Sequence, residues 1–435
     1  MRPQGLRREL GTFGATMLGL GAMIGTGVFV SIGLGAGIAG PGVLLALAAA
    51  AGVALCNGLS SAQLAANHPV SGGTYEYGYI YLNSWAGFTA GWVFLIAKSA
   101  SAATAALGFS GYTLHAFGLS RGLLVPTALA VVAALTIVVL AGVRRSNVAN
   151  IAIVTISLLS LGFFVVAGLP QVTAGNLVPL WPGEDGGGQT VSAWLEATAL
   201  MFVAYTGYAR IATLGEEVRD PRRTIPRAIV ASALVVMLLY GAVAIVGIGV
   251  AGADGLLAAT EGQAAPLAVV AERFDLPFGP GVLVIGALTA MLGVGLNLIL
   301  GLSRVLLAMA RRGDVLAVFA RLNEAGTTPH WAVLAVACLI AGLVVIGDVR
   351  TTWSFSAFAV LVYYSLTNLA ALRMLPRDRI YPRWISVVGL VCSLGLAFWV
   401  EPRVWLTGLG LITIGLVWHA LARGARRDSE RMTRE

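Results

Sequence analysis

The chain has 435 residues, of which 58% are hydrophobic and only 11% are charged, and its mean hydropathy is +0.85. A typical soluble domain carries roughly 25% charged residues, so this composition excludes a soluble globular protein, a disordered chain and a disulfide-rich module. A net charge of +8 would suggest a nucleic-acid partner in a soluble protein, but here the basic residues lie between apolar segments. The composition predicts an all-α protein that crosses a membrane several times and binds no nucleic acid.

Twelve apolar segments predict about twelve transmembrane helices, because most of them reach the roughly 20 residues needed to cross a bilayer. In chain order they are residues 12–38, 41–66, 83–113, 123–142, 147–169, 191–214, 226–251, 280–309, 331–347, 353–373, 384–400 and 404–421. The ninth and the eleventh are short. The first segment runs directly into a long glycine-rich span, which does not match a cleavable signal peptide.

The loops between these spans differ in their arginine content. With the N-terminus inside, the inner loops and both tails carry 21 arginines, whereas the outer loops carry four. Basic residues accumulate on the cytoplasmic side of membrane proteins. The sequence therefore predicts a multi-pass protein of the cell inner (cytoplasmic) membrane with both termini in the cytoplasm.

Glycine interrupts two of the predicted spans near their middles. The first span contains Gly25-Thr26-Gly27, and the sixth contains Thr206-Gly207. Each glycine destabilises a helix interior by roughly 1 kcal/mol relative to alanine, although glycine also permits close helix packing, which is the alternative interpretation. Interrupted segments at corresponding places in two halves of a chain are typical of a transporter binding site.

Broken helices would leave backbone groups that lipid cannot satisfy. Free N–H groups at the start of a half-helix suit a carboxylate, because they add to the positive end of the helix dipole. Freed carbonyl groups at the other break suit an ammonium. A zwitterionic amino acid would satisfy both sets, so the two breaks predict an amino acid site.

Five stretches of the sequence carry a family resemblance. They are GAMIGTGVF at 21–29, FVAYTGY at 202–208, EEVRDPRRTIPRAI at 216–229, SRVLLAMARRG at 303–313 and, more weakly, PVSGGTYEY at 69–77. Through them the chain resembles the amino acid permeases of the amino acid–polyamine–organocation (APC) superfamily. The stretches extend over most of the first ten predicted spans.

The resemblance implies a five-plus-five inverted-repeat fold, the LeuT-like or APC fold, with two additional C-terminal helices. Repeat one would comprise residues 12–169 and repeat two residues 191–373, followed by peripheral helices over 374–421. Residues 1–11 and 422–435 would form cytoplasmic tails.

The resemblance also implies where a substrate binds. Its carboxylate would meet the N–H groups around Thr26 and Gly27, and its ammonium would meet carbonyls of spans 1 and 6. Tyr205 takes the place of the family's aromatic gate, with ordinary aromatic packing as the alternative. The predicted substrate-binding residues are Ile24, Gly25, Thr26, Gly27, Phe202, Val203, Ala204, Tyr205, Thr206 and Gly207.

Coupling residues follow less directly from the resemblance. Many relatives carry a lysine in span 5, where this chain has Ile156 or Ser157. Lys98, the only lysine, lies in span 3 roughly 20 Å from either end of the helix, too far for its side chain to snorkel. We therefore predict that Lys98 faces protein or a water-filled cavity and supplies the coupling or structural charge, with a static cation bound to helix-end carbonyls as the alternative. Thr289 is a second coupling candidate, for which helix–helix hydrogen bonding is the simpler account.

Several other polar residues receive weaker interpretations. Asn297 in span 8 is a candidate for the transport pathway. Arg210 in span 6 stands where relatives often have a neutral or acidic residue. The four histidines lie near predicted span ends and are interpreted as interfacial.

The sequence therefore predicts a secondary active transporter, or permease, that moves amino acids by alternating access with proton coupling. An amino acid or polyamine exchanger without ion coupling is the alternative. The expected partners are an amino acid or related small organic cation, protons and the lipid bilayer. No catalytic residue, metal site or cofactor is predicted: an enzyme would need clustered His, Asp, Glu or Cys in the spans, and a channel would show a repeated filter.

Overall fold

The computed structural model describes residues 10–69, 72–142, 147–181, 191–212, 218–324 and 327–432. Glu216 and Glu217 of the 216–229 stretch lie outside the described residues, as do parts of both predicted tails. Within the described ranges the chain forms sixteen α-helices. They are α1 Thr12–Met23, α2 Ile32–Ala39, α3 Val43–Asn67, α4 Thr74–Tyr77, α5 Ser84–Phe117, α6 Leu124–Leu140, α7 Asn147–Gly168, α8 Val191–Ala204, α9 Ala209–Ala212, α10 Pro221–Gln263, α11 Pro266–Ala271, α12 Gly279–Arg312, α13 His330–Ile346, α14 Val349–Leu372, α15 Arg383–Ala397 and α16 Pro402–Met432.

The predicted all-α membrane architecture is confirmed. Among the described residues, the only extended pairing is an isolated bridge between Leu10 and Val218. Eight helical stretches of that part of the chain are long and apolar enough to cross a membrane, and α13 and α15 are shorter apolar helices. These two correspond to the ninth and eleventh predicted spans, which are also short in the sequence.

Helices α5 and α14 form the interior of the bundle. In each of them 78% of the most apolar stretch is buried, compared with 22% in α6 and in α16. Small and hydroxyl-bearing residues let α5 and α14 approach closely. Their hydroxyl groups also bond across the interface, Ser101 with Ser356 at 2.7 Å and Thr104 with Thr352 at 2.8 Å.

Helix ends follow local capping chemistry and extend beyond the apolar segments. α5 begins after Asn83, whose side chain accepts the N–H of Ala86 at 2.9 Å, and it ends at Gly118 in the left-handed region with φ +60°. α10 continues to Gln263 past a kink at Gly252, where φ is +73°. The predicted span 83–113 therefore ended four residues too early, because α5 continues to Phe117 and its cap at Gly118. The predicted span 226–251 ends directly before the kink at Gly252.

The side of the bundle at which α1 begins, here called the N-terminal side, holds a buried polar cluster. The hydroxyl groups of Tyr75 and Tyr79 each donate to Asp314 Oδ2 at 2.7 Å, and His419 Nδ1 lies 3.6 Å from Asp314 Oδ1. His419 is 2% exposed and stacks on Phe88. It lies four residues before the end of the apolar stretch Pro402–Arg423, and its interfacial position stays a prediction; the other three histidines are partly exposed.

Candidate functional site

The first predicted break is a real interruption of the helix. α1 ends at Met23, and Ile24 adopts an extended conformation with φ −74° and ψ 108°. The chain re-enters a helix as a π-helical turn over Gly27–Ser31, which continues into α2. The carbonyl of Gly25 accepts two N–H groups from this turn, at 3.2 and 3.1 Å. The interruption therefore lies at the Gly25-Thr26-Gly27 stretch.

The second predicted break is also present. α8 ends at Ala204, and a single 3₁₀ turn over Thr206–Tyr208 leads into the short α9. The Thr206 hydroxyl donates to the carbonyl of Val203 at 2.8 Å, and the Tyr364 hydroxyl donates to the carbonyl of Thr206 at 3.0 Å. Side-chain donors thus replace part of the helical hydrogen-bonding ladder that the break removes.

The two breaks pack directly against each other through glycine. A methyl group added to Gly207 would lie 2.5 Å from the carbonyl carbon of Ala22 and 2.5 Å from the backbone N of Met23. A methyl group added to Gly27 would lie 2.7 Å from the Cβ of Ala204. All three distances are shorter than the contacts that real Cβ atoms make, so each glycine permits a close backbone approach between the two interrupted helices.

Tyrosine side chains from neighbouring helices bond the backbone around the first break. Tyr240 of α10 donates to the carbonyl of Met23 at 2.7 Å, and Tyr112 of α5 donates to the carbonyl of Phe29 at 2.7 Å. Carbonyl groups buried away from water need such partners, since an unpaired one is costly. The breaks are therefore held by fixed donors from the surrounding bundle.

A cavity of about 640 Å³ borders the second break and opens to the N-terminal side. Its inner end is lined by Ala22, Lys98, Thr206 and Gly207, whereas its mouth is lined by side chains from α4 and the end of α12. Lys98 is 8% exposed, and its ammonium donates to the Thr206 hydroxyl at 2.9 Å. The only lysine of the chain thus lies beside the second helix break.

A second cavity of about 590 Å³ lies on the opposite side of the bundle, between the ends of α5 and α10 and the start of α14. In the described part of the chain the two cavities share no lining residue. Lys98 lines the first and Leu114 the second, about 24 Å apart along α5. Of these two cavities, only the one on the N-terminal side borders the second break in the part of the chain that the structure describes.

The structure brings most of the predicted site residues together. Thr206, Gly207 and Lys98 line the cavity. The remaining predicted substrate-binding residues are buried around the two breaks. Among them, the Thr26 and Tyr205 hydroxyl groups have no hydrogen-bond partner among the described residues. Buried hydroxyl groups of this kind are available to a ligand.

Two residues linked to coupling are placed elsewhere. The Thr289 hydroxyl donates to the carbonyl of Ile285 one turn earlier in α12, and Thr289 does not line the cavity. The Ser157 hydroxyl likewise donates within its own helix, to Ile153. Each of these two hydroxyl groups therefore donates its hydrogen bond to a carbonyl of its own helix.

Sequence reasoning missed much of the cavity mouth. Arg304, Arg311 and Arg312 line it from α12, and Glu76 lines it from α4. All four lie within the 303–313 and 69–77 stretches, so the signal was present, but no role was assigned to these side chains. Asn297, a candidate for the pathway, does line the cavity.

Comparison with known proteins agrees with this geometry. A family model described as amino acid permease matches residues 14–430. An uncharacterized transporter of Mycobacterium tuberculosis (strain ATCC 25618 / H37Rv) is 39% identical, over 100% of this chain and 94% of the relative. The branched-chain amino acid permease of Bacillus subtilis (strain 168) is 29% identical, over 95% and 91%, and the human cationic amino acid transporter 4 is 28% identical, over 85% and 60%. The chain therefore belongs to the amino acid permease family of the APC superfamily and is a multi-pass membrane transporter.

Proposed function

We propose that the protein is a secondary active transporter that moves amino acids across the cytoplasmic membrane by alternating access. One observation carries this proposal: two interrupted helices meet at a central site that opens to one side of the bundle, while a separate cavity faces the other side. Irregular backbone within a membrane persists only where it lines a cavity or meets a ligand. Transport follows if the two openings alternate around the fixed site.

The residues at the breaks define how an amino acid would bind. The substrate carboxylate would take N–H groups around Gly25, Thr26 and Gly27 together with the unpaired Thr26 hydroxyl. The ammonium would take carbonyls from the span 1 break and from Val203 and Thr206. These two carbonyls already accept side-chain hydroxyl groups, but each carbonyl has a second lone pair.

The two halves of the core and their orientation belong to the same proposal. Residues 12–169 and 191–373 would be the inverted repeats, which is supported by one broken helix in each half. The arginine-rich loops would be cytoplasmic, with both termini on that side and 374–421 peripheral. The 640 Å³ cavity would then open to the cytoplasm.

Proton coupling through Lys98 is the transport mode that we propose first. The ammonium lies at the end of a cavity that water can enter and beside the break that would rearrange, so its protonation and the helix geometry would affect each other. Exchange without ion coupling is the second candidate. It is favoured by the position of Thr289, the second coupling candidate, which does not line the cavity.

The function is tested by counterflow in proteoliposomes that contain the purified full chain. Amino acid uptake should saturate with concentration and should require amino acid inside the vesicle or a pH gradient. The recovered substrate should be chemically unchanged, which separates a transporter from an enzyme, and flux without saturation would indicate a channel. A des-amino analogue should compete at least about tenfold more weakly, because freed carbonyls lose their donor; equal competition would contradict the proposed ammonium site.

The two transport modes are separated in the same vesicles. Under proton coupling, a pH gradient drives net uptake, and Lys98→Met abolishes that pH dependence. Under pure exchange, net uptake stays absent with any gradient, while counterflow persists. Wild-type rate and pH dependence in Lys98→Met would exclude a coupling role for this residue.

A further inference from the structure

The 640 Å³ cavity has an unequal distribution of charge. Among the described residues that line it there is one acidic side chain, Glu76, and its carboxylate is already paired with the Arg312 guanidinium. Outside that pair, the basic side chains of Lys98, Arg304 and Arg311 line the cavity. A cleft lined mainly by one sign of charge in a low-dielectric surrounding concentrates ions of the opposite sign.

Lys98 places one of these charges at the site itself. Its ammonium contacts the hydroxyl of Thr206, in the turn that forms the second break. In the part of the chain that the structure describes, no carboxylate lies within ion-pair distance of Lys98. A buried charge interacts more strongly with a ligand than an exposed one, because water screens it less.

We propose that this cavity selects substrates by charge, taking amino acids with a neutral or acidic side chain and excluding those with a second positive charge. Lys98 sets this selection at the site, and the arginines at the mouth act along the path to it. The inference rests on the proposed amino acid transport and specifies its substrate class. It runs opposite to the polyamines and cationic amino acids that the family resemblance also allowed.

Isosteric pairs of amino acids isolate the effect of charge. Citrulline has the shape of arginine without its side-chain charge. Norleucine has nearly the shape of lysine without its charge, and glutamine has the shape of glutamate without its charge. Each is titrated against the purified full chain in a thermal-shift assay at pH 7 and constant ionic strength, since a ligand that binds the folded state raises the melting temperature. Citrulline should bind at least about tenfold more tightly than arginine, and norleucine more tightly than lysine by a similar factor. Glutamate should bind at least as tightly as glutamine.

Variants test whether Lys98 is responsible. Lys98→Met should reduce the citrulline-to-arginine ratio at least threefold, whereas Lys98→Arg keeps the charge and should keep the ratio. Arg403→Met is the matched control, because Arg403 is exposed and lines neither cavity. The measured quantity is a ratio of affinities, so a general loss of stability in a variant does not imitate the effect. An unchanged ratio in Lys98→Met overturns the role of this residue.

The outcomes also separate this inference from the proposed function. Arginine binding as tightly as citrulline in the wild-type protein overturns the charge selection and leaves amino acid transport intact. If none of these amino acids, nor leucine or alanine, shifts the melting temperature or exchanges in proteoliposomes, amino acid transport itself fails, and the charge selection fails with it.

Discussion

Single glycines decide how closely the two interrupted helices approach. We expect Gly207→Ala to abolish transport and to lower the free energy of unfolding by about 1–3 kcal/mol, because the new methyl group meets fixed backbone atoms of Ala22 and Met23. Counterflow in proteoliposomes and thermal melting of the purified variant measure the two effects. Gly241→Ala is the control, because a methyl group there has nothing within 4 Å.

The two results distinguish a packing role from a role in the site. Transport at the wild-type rate in Gly207→Ala would show that the helices separate without cost, and the close approach would then have no functional meaning. If Gly241→Ala also lost transport and stability, glycine would be needed for general helix flexibility, which the structure does not predict.

At the residue scale, the sequence predicted which positions interrupt helices or carry a buried charge, but it did not predict which side chains contact each other. The glycines at both breaks follow from their poor fit to a continuous helix, and the distance of Lys98 from either helix end predicts a protein or water-filled environment. The contact of Lys98 with Thr206 does not follow, because these residues are 108 positions apart. Which side chain meets which depends on how α5 rotates against the second break, and no local pattern encodes that rotation.

At the scale of elements, a short helix that the sequence did not predict ties the N-terminal side together. α4 has only four residues and no apolar run of its own, so span-length reasoning passes over it. Its Tyr75 hydroxyl donates to Asp314 just beyond α12, as does the Tyr79 hydroxyl from the turn that follows α4, and Asp314 also lies beside His419 of α16. Burial, and then the bond to Asp314, raise the pKa of the Tyr75 hydroxyl, so it remains a donor at physiological pH.

We expect Asp314→Asn to destabilise the protein by about 1–3 kcal/mol. The buried carboxylate accepts two hydroxyl bonds on Oδ2, and its Oδ1 lies beside His419. An amide oxygen can still accept both hydroxyl groups, but the substitution weakens these charge-assisted bonds and places an NH2 group where Oδ1 faced His419. Thermal melting measures the change. Glu324→Gln removes an acid from an exposed position and should leave the melting temperature within about 1 °C. Equal melting of Asp314→Asn and the wild type would mean that the cluster does not stabilise the N-terminal side.

At the scale of the whole molecule, the difference between lipid-facing and buried helices explains why the membrane-spanning helices could be predicted from the sequence. Helices in contact with lipid are rich in apolar residues, so the eight long apolar stretches of the described residues are visible in the sequence as hydrophobic runs. The interior helices α5 and α14 rely on small and hydroxyl-bearing residues, whose partners lie hundreds of positions away. Span number and helix breaks are therefore local properties, whereas the cavity is assembled from α5, the second break and α12 by the tertiary packing alone.

The proposed orientation predicts which side of the membrane reaches each cavity. Ala308 lines the 640 Å³ cavity, and Arg121 lines the cavity on the opposite side. A single cysteine is introduced at either position, as Ala308→Cys or Arg121→Cys, in a variant from which the native cysteines have been removed. A membrane-impermeant thiol reagent should label Ala308→Cys in inside-out vesicles and Arg121→Cys in right-side-out vesicles, because the arginine-rich loops place the first cavity toward the cytoplasm. A transported amino acid should change the rate at which Ala308→Cys is labelled, because occupancy of the central site changes the fraction of molecules open to that side. The reverse labelling pattern would contradict the proposed topology, and labelling of Ala308→Cys at equal rates from both sides would show an open pore instead of alternating access.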